Sequence, residues 1–139
     1  MKEVDYFGPT AKLHHVGLAI PSIEKSNLTE LEVFSDPIQQ VNVSFIKLGD
    51  INIELIEPDS EHSPITNSLN KGNKLVHLCY EVDSLEQSIK SAIDNQFKVL
   101  QEPVHAVAFN HRRIAWVYHR FWGLFELLER DHTDGDHSL

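Results

Sequence analysis

The fold of this chain is indicated by two short runs, Leu13-His-His-Val-Gly-Leu-Ala-Ile20 and Leu75-Val-His-Leu-Cys-Tyr-Glu-Val82. Each run has the length and apolar content of a β-strand, and turn-forming residues follow it. Each also carries a histidine among its apolar residues, His15 in the first run and His77 in the second. The two runs therefore predict strands, and their likeness indicates a structural unit that occurs twice.

A second pair of segments supports this internal repeat. Ile53-Glu-Leu-Ile-Glu57 and Phe125-Glu-Leu-Leu-Glu129 share one pattern, which places Glu54 and Glu126 among apolar residues. Each half of the chain reads as a strand, a helix and three strands, although the helix of the first half is cut down to residues 22–31. The sequence therefore predicts an α+β fold built from two βαβββ modules.

Hydrophobic periodicity places the individual elements within these modules. A helix is predicted from its N-cap, Ser84, to about residue 95, because the apolar residues of this segment recur at helical spacing. Strands are predicted at 13–20, 31–34, 41–48, 51–56, 75–82, 99–105, 113–118 and 124–128, with a hairpin turn at 49–50. One domain is expected at 12–130, made of module one (12–58), a polar linker (59–73) and module two (74–130). A leader (1–11) is expected before it and a flexible acidic tail (131–139) after it.

Composition restricts the class of protein. The 139 residues suffice for one domain with a sizeable core. Twelve Lys and Arg against 21 Asp and Glu give a formal net charge of −9, which argues against a nucleic-acid or anionic-membrane partner. The single cysteine, Cys79, excludes an intrachain disulfide framework. Because the apolar runs are too short to span a bilayer and the first residues lack a signal-peptide pattern, we expect a cytoplasmic protein.

Four side chains in the repeated strands are candidate metal ligands. Strand alternation places His15, Glu54, His77 and Glu126 on the same faces as small or apolar residues. A carboxylate in apolar surroundings is costly unless it is neutralised, paired or bound to a metal. Two carboxylates and two imidazoles would form an oxygen and nitrogen site for a divalent ion. The alternative is ordinary: core histidines with satisfied hydrogen bonds, and glutamates that face solvent.

The segments that carry these residues resemble a known family. They are Leu13-His-His-Val-Gly-Leu-Ala19, Ile53-Glu-Leu-Ile-Glu-Pro58, Leu75-Val-His-Leu-Cys-Tyr-Glu-Val-Asp83 and Gly123-Leu-Phe-Glu-Leu-Leu128. Over roughly residues 12–129 the chain resembles the vicinal-oxygen-chelate superfamily, which contains glyoxalase I, extradiol dioxygenases, methylmalonyl-CoA epimerase and antibiotic-resistance proteins. The methylmalonyl-CoA epimerase branch is the most similar.

The resemblance implies a fold, a site and an activity. The two modules would curl into one open, mixed-sheet barrel around a divalent metal ion (Ni, Co, Zn or Mn) held by His15, Glu54, His77 and Glu126. The implied activity is that of a metal-dependent isomerase or lyase acting through a metal-stabilised enolate, with Glu126 or Glu54 also moving the proton. The implied partners are a small-molecule substrate, such as an acyl-CoA, and a second copy of the chain in a homodimer.

Two other functions remain open. Glyoxalase I has Glu at the position of Glu54, where epimerases often have Gln, so a lyase acting on a thiol adduct is one alternative. A small-molecule binding or resistance protein without turnover is the other. The chain also departs from the epimerase pattern: its first helix is short, and Asp36 is the only acidic residue in the stretch just before Val41.

The basic cluster Asn110-His-Arg-Arg113 has two interpretations. Its arginines could bind a carboxylate or phosphate of a substrate, or they could lie in solvent at the start of a strand. The sequence alone favours the second interpretation.

Overall fold

The computed structural model describes residues 1–131 of the chain. The strands of this part are β1 (Lys12–Ala19), β2 (Phe34–Asp36), β3 (Val41–Leu48), β4 (Ile51–Pro58), β5 (Leu75–Val82), β6 (Lys98–His105), β7 (Arg113–His119) and β8 (Gly123–Glu129). Its α-helices are α1 (Pro64–Asn70) and α2 (Leu85–Asp94), and short 3-10 turns occupy Glu24–Ser26 and Val107–Phe109.

The strands form a mixed sheet in the order β2-β3-β4-β1-β5-β8-β7-β6. β1 runs parallel to β4, and β5 runs parallel to β8 in the same way. The β2–β3, β3–β4, β6–β7 and β7–β8 pairs are antiparallel. The predicted α+β class and the repetition of one strand arrangement are thus confirmed.

Contacts along the backbone divide the chain into two compact units. One unit comprises His15–His77, and the other comprises Met1–His14 with the described residues that follow His77. Both boundaries fall inside strands, the first in β1 and the second in β5.

The 15–77 unit is built on the β3–β4 hairpin. β3 begins and ends as predicted, and Gly49 forms the turn with a φ of 62° that glycine adopts without strain. In place of a first-module helix the unit has only the 3-10 turn at Glu24–Ser26. The strand predicted at 31–34 begins later in the structure, where β2 runs from Phe34 to Asp36. Glu30, just before the predicted start, adopts a left-handed backbone conformation with a φ of 62°, which interrupts an extended chain at that point.

Helix α1 lies inside the predicted polar linker, 59–73. Ser63 caps it by accepting a hydrogen bond from the Ile65 N–H at 3.4 Å, and Pro64 occupies the first turn. Proline suits this position because its missing N–H would have no partner within the helix. No residue of the helix is fully buried, and its half-buried face carries only two apolar side chains, Ile65 and Leu69. Two apolar positions are too few to reveal an amphipathic helix by periodicity.

Helix α2 provides much of the core of the other unit. Ser84 caps it through the Gln87 N–H at 3.2 Å, as predicted. One face buries Leu85, Ile89 and Ala92. The residues of this core from the strands and the segment after α2 are Val82, Phe97, Ala115, Val117 and Leu127.

The N-terminal residues also belong to this core, although a leader is predicted at 1–11 from the sequence. Phe7 is only 7% exposed, and its ring lies 5.3 Å from the rings of both Phe97 and Phe125. The Ser88 hydroxyl donates a hydrogen bond to the Phe7 carbonyl at 2.8 Å. Residues 1–11 lack periodicity because isolated contacts, mainly the rings of Phe7 and Tyr6 against Phe97, and not a strand or helix face, attach the segment.

Within residues 1–131, the helices are too short or too polar to cross a membrane. The predicted acidic tail, 131–139, lies outside the described residues except for Asp131.

Candidate functional site

Three of the four candidate ligands meet within the 15–77 unit. His15 on β1, Glu54 on β4 and His77 on β5 direct their side chains to one point. The two Nε2 atoms of the histidines lie 3.2 Å apart. The Oε1 atom of Glu54 lies 3.5 Å from Nε2 of His15 and 3.4 Å from Nε2 of His77. We call these residues the His15–Glu54–His77 cluster.

The sheet explains why residues so distant in sequence meet. In the parallel β1–β4 ladder Glu54 is the register partner of Gly17, two residues from His15 on the same face of β1. The start of β5 neighbours the end of β1, because the Ala19 N–H donates a hydrogen bond to the Lys74 carbonyl at 2.7 Å. Each ligand therefore comes from a different strand at the same level of the sheet.

The ligand atoms of this cluster, two ring nitrogens and one carboxylate oxygen, fit a divalent ion. All three side chains are buried: His15 is 0% exposed, Glu54 6% and His77 7%. A tetrahedral or octahedral ion bound about 2.0 to 2.2 Å from each ligand separates neighbouring ligand atoms by roughly 2.8 to 3.6 Å. The separations of 3.2, 3.4 and 3.5 Å lie within that interval. Imidazole nitrogen and carboxylate oxygen are also ligand types that zinc, nickel, cobalt and manganese accept.

Two further residues shape the cluster, although neither is among the site residues predicted from the sequence. Gly17 faces the His77 ring so closely that a Cβ atom on it would lie 2.2 Å from Cε1. The Phe45 ring packs edge-on against His15, with the ring centres 5.7 Å apart, and Phe45 pairs in register with Glu54. Alternation along β3 could have indicated that Phe45 faces inward, but the contact itself depends on the pairing of separate strands.

Glu126 belongs to the other unit. It lies on β8, is 2% exposed, and is paired in register with Cys79 on β5 and Trp116 on β7. The burial of Glu126 agrees with the prediction that this side chain lies among apolar residues, and not with the alternative that it faces solvent. Its role as a fourth ligand stays a prediction.

The arginines of the basic cluster bind carboxylates of the chain itself. Arg112, whose side chain is 9% exposed, pairs with Glu81 at 2.9 Å. Arg113 pairs with Glu86 at 2.9 Å and also with Glu129. These ion pairs connect the first residue of β7 and the residue before it to β5, α2 and β8 of the same unit. Neither sequence interpretation, a substrate anion site or a solvated strand start, describes their role.

Asp36 also has a structural role. Its Oδ1 atom accepts hydrogen bonds from the N–H groups of Ile38 and Gln39, both at 3.0 Å. A carboxylate that closes a turn in this way stabilises the chain reversal between β2 and β3. The only acidic residue in the stretch just before Val41 is thus engaged with backbone.

Sequence comparison identifies relatives of this chain. A bovine (Bos taurus) mitochondrial methylmalonyl-CoA epimerase is 32% identical over 101 residues, which are 66% of this chain and 58% of that protein. An ethylmalonyl-CoA/methylmalonyl-CoA epimerase of Cereibacter sphaeroides is 36% identical over 84 residues, or 53% of this chain and 63% of that protein. The chain thus spans about three fifths of the length of these two relatives.

Structural comparison supports the same fold. A methylmalonyl-CoA epimerase variant of Streptomyces coelicolor, solved in complex with 2-nitronate-propionyl-CoA, matches with a TM-score of 0.72 and 18% identity. The match covers 90% of this chain and 98% of the other. A family model, the Glyoxalase/Bleomycin resistance protein/Dioxygenase superfamily, matches residues 14–116, well over half of the sequence. The chain therefore belongs to the glyoxalase/bleomycin resistance protein/dioxygenase superfamily.

Proposed function

We propose that this protein is a metal-dependent isomerase that moves the α-proton of an acyl-CoA, as a methylmalonyl-CoA epimerase does. The observation that carries the proposal is the His15–Glu54–His77 cluster, in which three buried donor atoms lie 3.2 to 3.5 Å apart. Curated relatives named as epimerases support the reaction class. The S. coelicolor neighbour supports a CoA thioester as the class of ligand.

His15 and His77 are proposed as neutral nitrogen ligands. A histidine ligates through a ring nitrogen that carries no proton, so each ring would hold its proton on Nδ1 and present Nε2 to the ion. The edge-on contact of Phe45 with His15 restricts the orientation of that ring. Burial of both rings also keeps water from competing for the Nε2 lone pairs.

Glu54 and Glu126 are the proposed carboxylate ligands. Their charges would compensate the two positive charges of the ion, which makes the burial of both groups tolerable. When bound, the divalent ion supplies a Lewis acid for the carbonyl oxygen of the substrate. A carboxylate beside the α-carbon can then remove the proton and return it, and we assign that step to Glu126 or Glu54.

One experiment tests this proposal directly. The protein is stripped with a chelator, reloaded separately with nickel, cobalt, zinc or manganese, and incubated with methylmalonyl-CoA in deuterated water. We expect deuterium at the α-carbon only when a metal is present. Replacing Glu126 by Gln should slow the exchange by about 10²-fold or more, the usual contribution of a positioned acid–base group.

Glu57→Gln is the matched control for that variant. Glu57 lies on β4 close to Glu54, but its carboxylate accepts hydrogen bonds from the Ile23 N–H at 2.6 Å and from the Asn42 side chain at 3.0 Å. This variant should exchange at the wild-type rate. Deuterium exchange that is as fast in the metal-free protein as in the metal-loaded protein would contradict the proposal. A lack of exchange with all four metals would also contradict it.

A lyase acting on a thiol adduct is the second candidate, and the identity of residue 54 favours it. Glyoxalase I has Glu at this position, and Glu54 occupies it here. Turnover of a hemithioacetal, without exchange of methylmalonyl-CoA, would support the lyase. Tight binding of either compound without turnover would instead support a binding or resistance protein of the same fold.

Location and assembly are part of the proposal. We infer a cytoplasmic homodimer that uses a small-molecule substrate and binds neither nucleic acid nor membranes. The net charge of −9 supports the last two points. Light scattering during size-exclusion chromatography tests the dimer, and a mass near the 15.9 kDa of one chain would overturn it.

A further inference from the structure

We propose that Gly17 is a positioning residue for the metal ligand His77, and this inference rests on the metal site proposed above. An added Cβ atom at residue 17 would lie 2.2 Å from Cε1, 2.3 Å from Nδ1 and 2.8 Å from Nε2 of His77. All three distances are shorter than non-bonded atoms tolerate. The overlap falls on the edge of the ring that carries both nitrogens, including the proposed ligand atom.

The backbone of residue 17 does not itself require glycine. Gly17 lies within β1 and has no left-handed φ, whereas Gly8, Gly49, Gly72 and Gly123 all have positive φ values. Glycine inside a strand is less favourable than alanine, because it loses more conformational freedom on folding. The absence of a side chain at residue 17 is therefore explained by the room that the ring occupies.

The position of the ring is also defined by the other two residues of the His15–Glu54–His77 cluster. Nε2 of His77 lies 3.2 Å from Nε2 of His15 and 3.4 Å from Oε1 of Glu54. A methyl group on residue 17 would push the ring edge away from its present place and alter both separations. Because a side-chain ring can turn aside more easily than backbone, the chain would fold while the three donor atoms lose their common geometry.

The test measures metal affinity and stability in four proteins: wild type, Gly17→Ala, His77→Ala and the double variant. Metal affinity is measured by competition with a chromophoric chelator, using cobalt and zinc. We expect Gly17→Ala to weaken binding by about 10- to 100-fold, the usual effect of disturbing the surroundings of a ligand. The visible spectrum of bound cobalt should also change, because it reports ligand geometry independently of activity.

Melting temperatures of the metal-free proteins provide the second measurement. Gly17→Ala should lower the melting temperature when His77 is present. In the His77→Ala background the same substitution should leave it unchanged or raise it, because the overlap is gone and alanine suits a strand better. This reversal of sign distinguishes a contact with the ring from a general defect in β1. If Gly17→Ala alone folds poorly, adding His77→Ala in the double variant should restore folding.

Gly49→Ala is the matched glycine control. Its φ of 62° makes alanine strained, but an added Cβ atom would meet no atom within 4 Å. It should lose stability and keep wild-type metal affinity. Gly17→Ala with wild-type affinity, or an equal melting effect in both backgrounds, would overturn the inference while leaving the proposed function intact. Wild-type protein that binds no metal would overturn the proposed function and the positioning role with it, yet the melting temperatures would still report the contact.

Discussion

Nε2 of His15 and Nε2 of His77 lie 3.2 Å apart in the buried cluster, although 62 residues separate the two histidines in sequence. Two neutral imidazoles at this distance either share one proton in a hydrogen bond or direct both lone pairs at a common cation. In the hydrogen-bonded form one ring carries its proton on Nε2. Metal binding would therefore move the proton of that ring to Nδ1.

Metal loading should stabilise the fold through this cluster. A ligand at 100 times its Kd stabilises a protein by about 2.7 kcal/mol, which for a chain of this length raises the Tm by about 10 °C. Calorimetry with and without zinc or cobalt measures the shift. His15→Ala should abolish it, whereas His62→Ala, at a side chain that is 82% exposed, should preserve it. An equal shift in both variants would show that the ion binds elsewhere.

Asp36 should not serve as a catalytic base. Asp36→Asn keeps an oxygen that can accept from Ile38 and Gln39, so deuterium exchange into the substrate should stay within about twofold of wild type. Asp36→Ala removes both hydrogen bonds and should cost about 1 to 2 kcal/mol of unfolding free energy in urea titrations. Loss of exchange in the Asn variant, with unchanged stability, would assign Asp36 a chemical role instead.

The N-terminal segment should contribute strongly to stability. Phe7→Ala removes a buried ring from the core formed with Phe97 and Phe125, and such a truncation costs about 3 to 5 kcal/mol. Val4→Ala, at a side chain in the same segment that is 56% exposed, should change stability by less than about 0.5 kcal/mol. Denaturant unfolding compares the two, and an equally small loss in both variants would mean that the segment acts as a detachable leader.

The carboxylate of Glu86 should titrate below its ordinary value. Its hydrogen bond with the Arg113 guanidinium lowers the pKa of Glu86 from 4.5. A lowered pKa in the folded state means that the pair stabilises the protein above pH 4.5 and loses that contribution as the pH falls through the lowered value. Carbon NMR of the Glu86 carboxyl measures the pKa directly. Arg113→Gln should raise it towards 4.5, and an unchanged pKa would show that the pair does not form in solution.

Much of the fold could be read from the chain because the signals are local. The apolar runs around His15 and His77 have strand length, and Ser84 precedes a run with helical periodicity. The structure has strands and a helix at these places. Helix α1 has only two apolar residues on its half-buried face, and Phe7 belongs to no periodic segment, so neither left a signal of that kind in the sequence.

The repeated modules and the candidate site residues could be predicted from the amino-acid sequence, since a histidine or glutamate among apolar residues is visible there. That His15, Glu54 and His77 meet, and that Gly17 faces the His77 ring, became evident only from the folded chain. These contacts depend on the register of the sheet. Pairing of β1 with β4 and the closeness of Ala19 to Lys74 bring distant residues to one level, and no spacing along the chain encodes those distances.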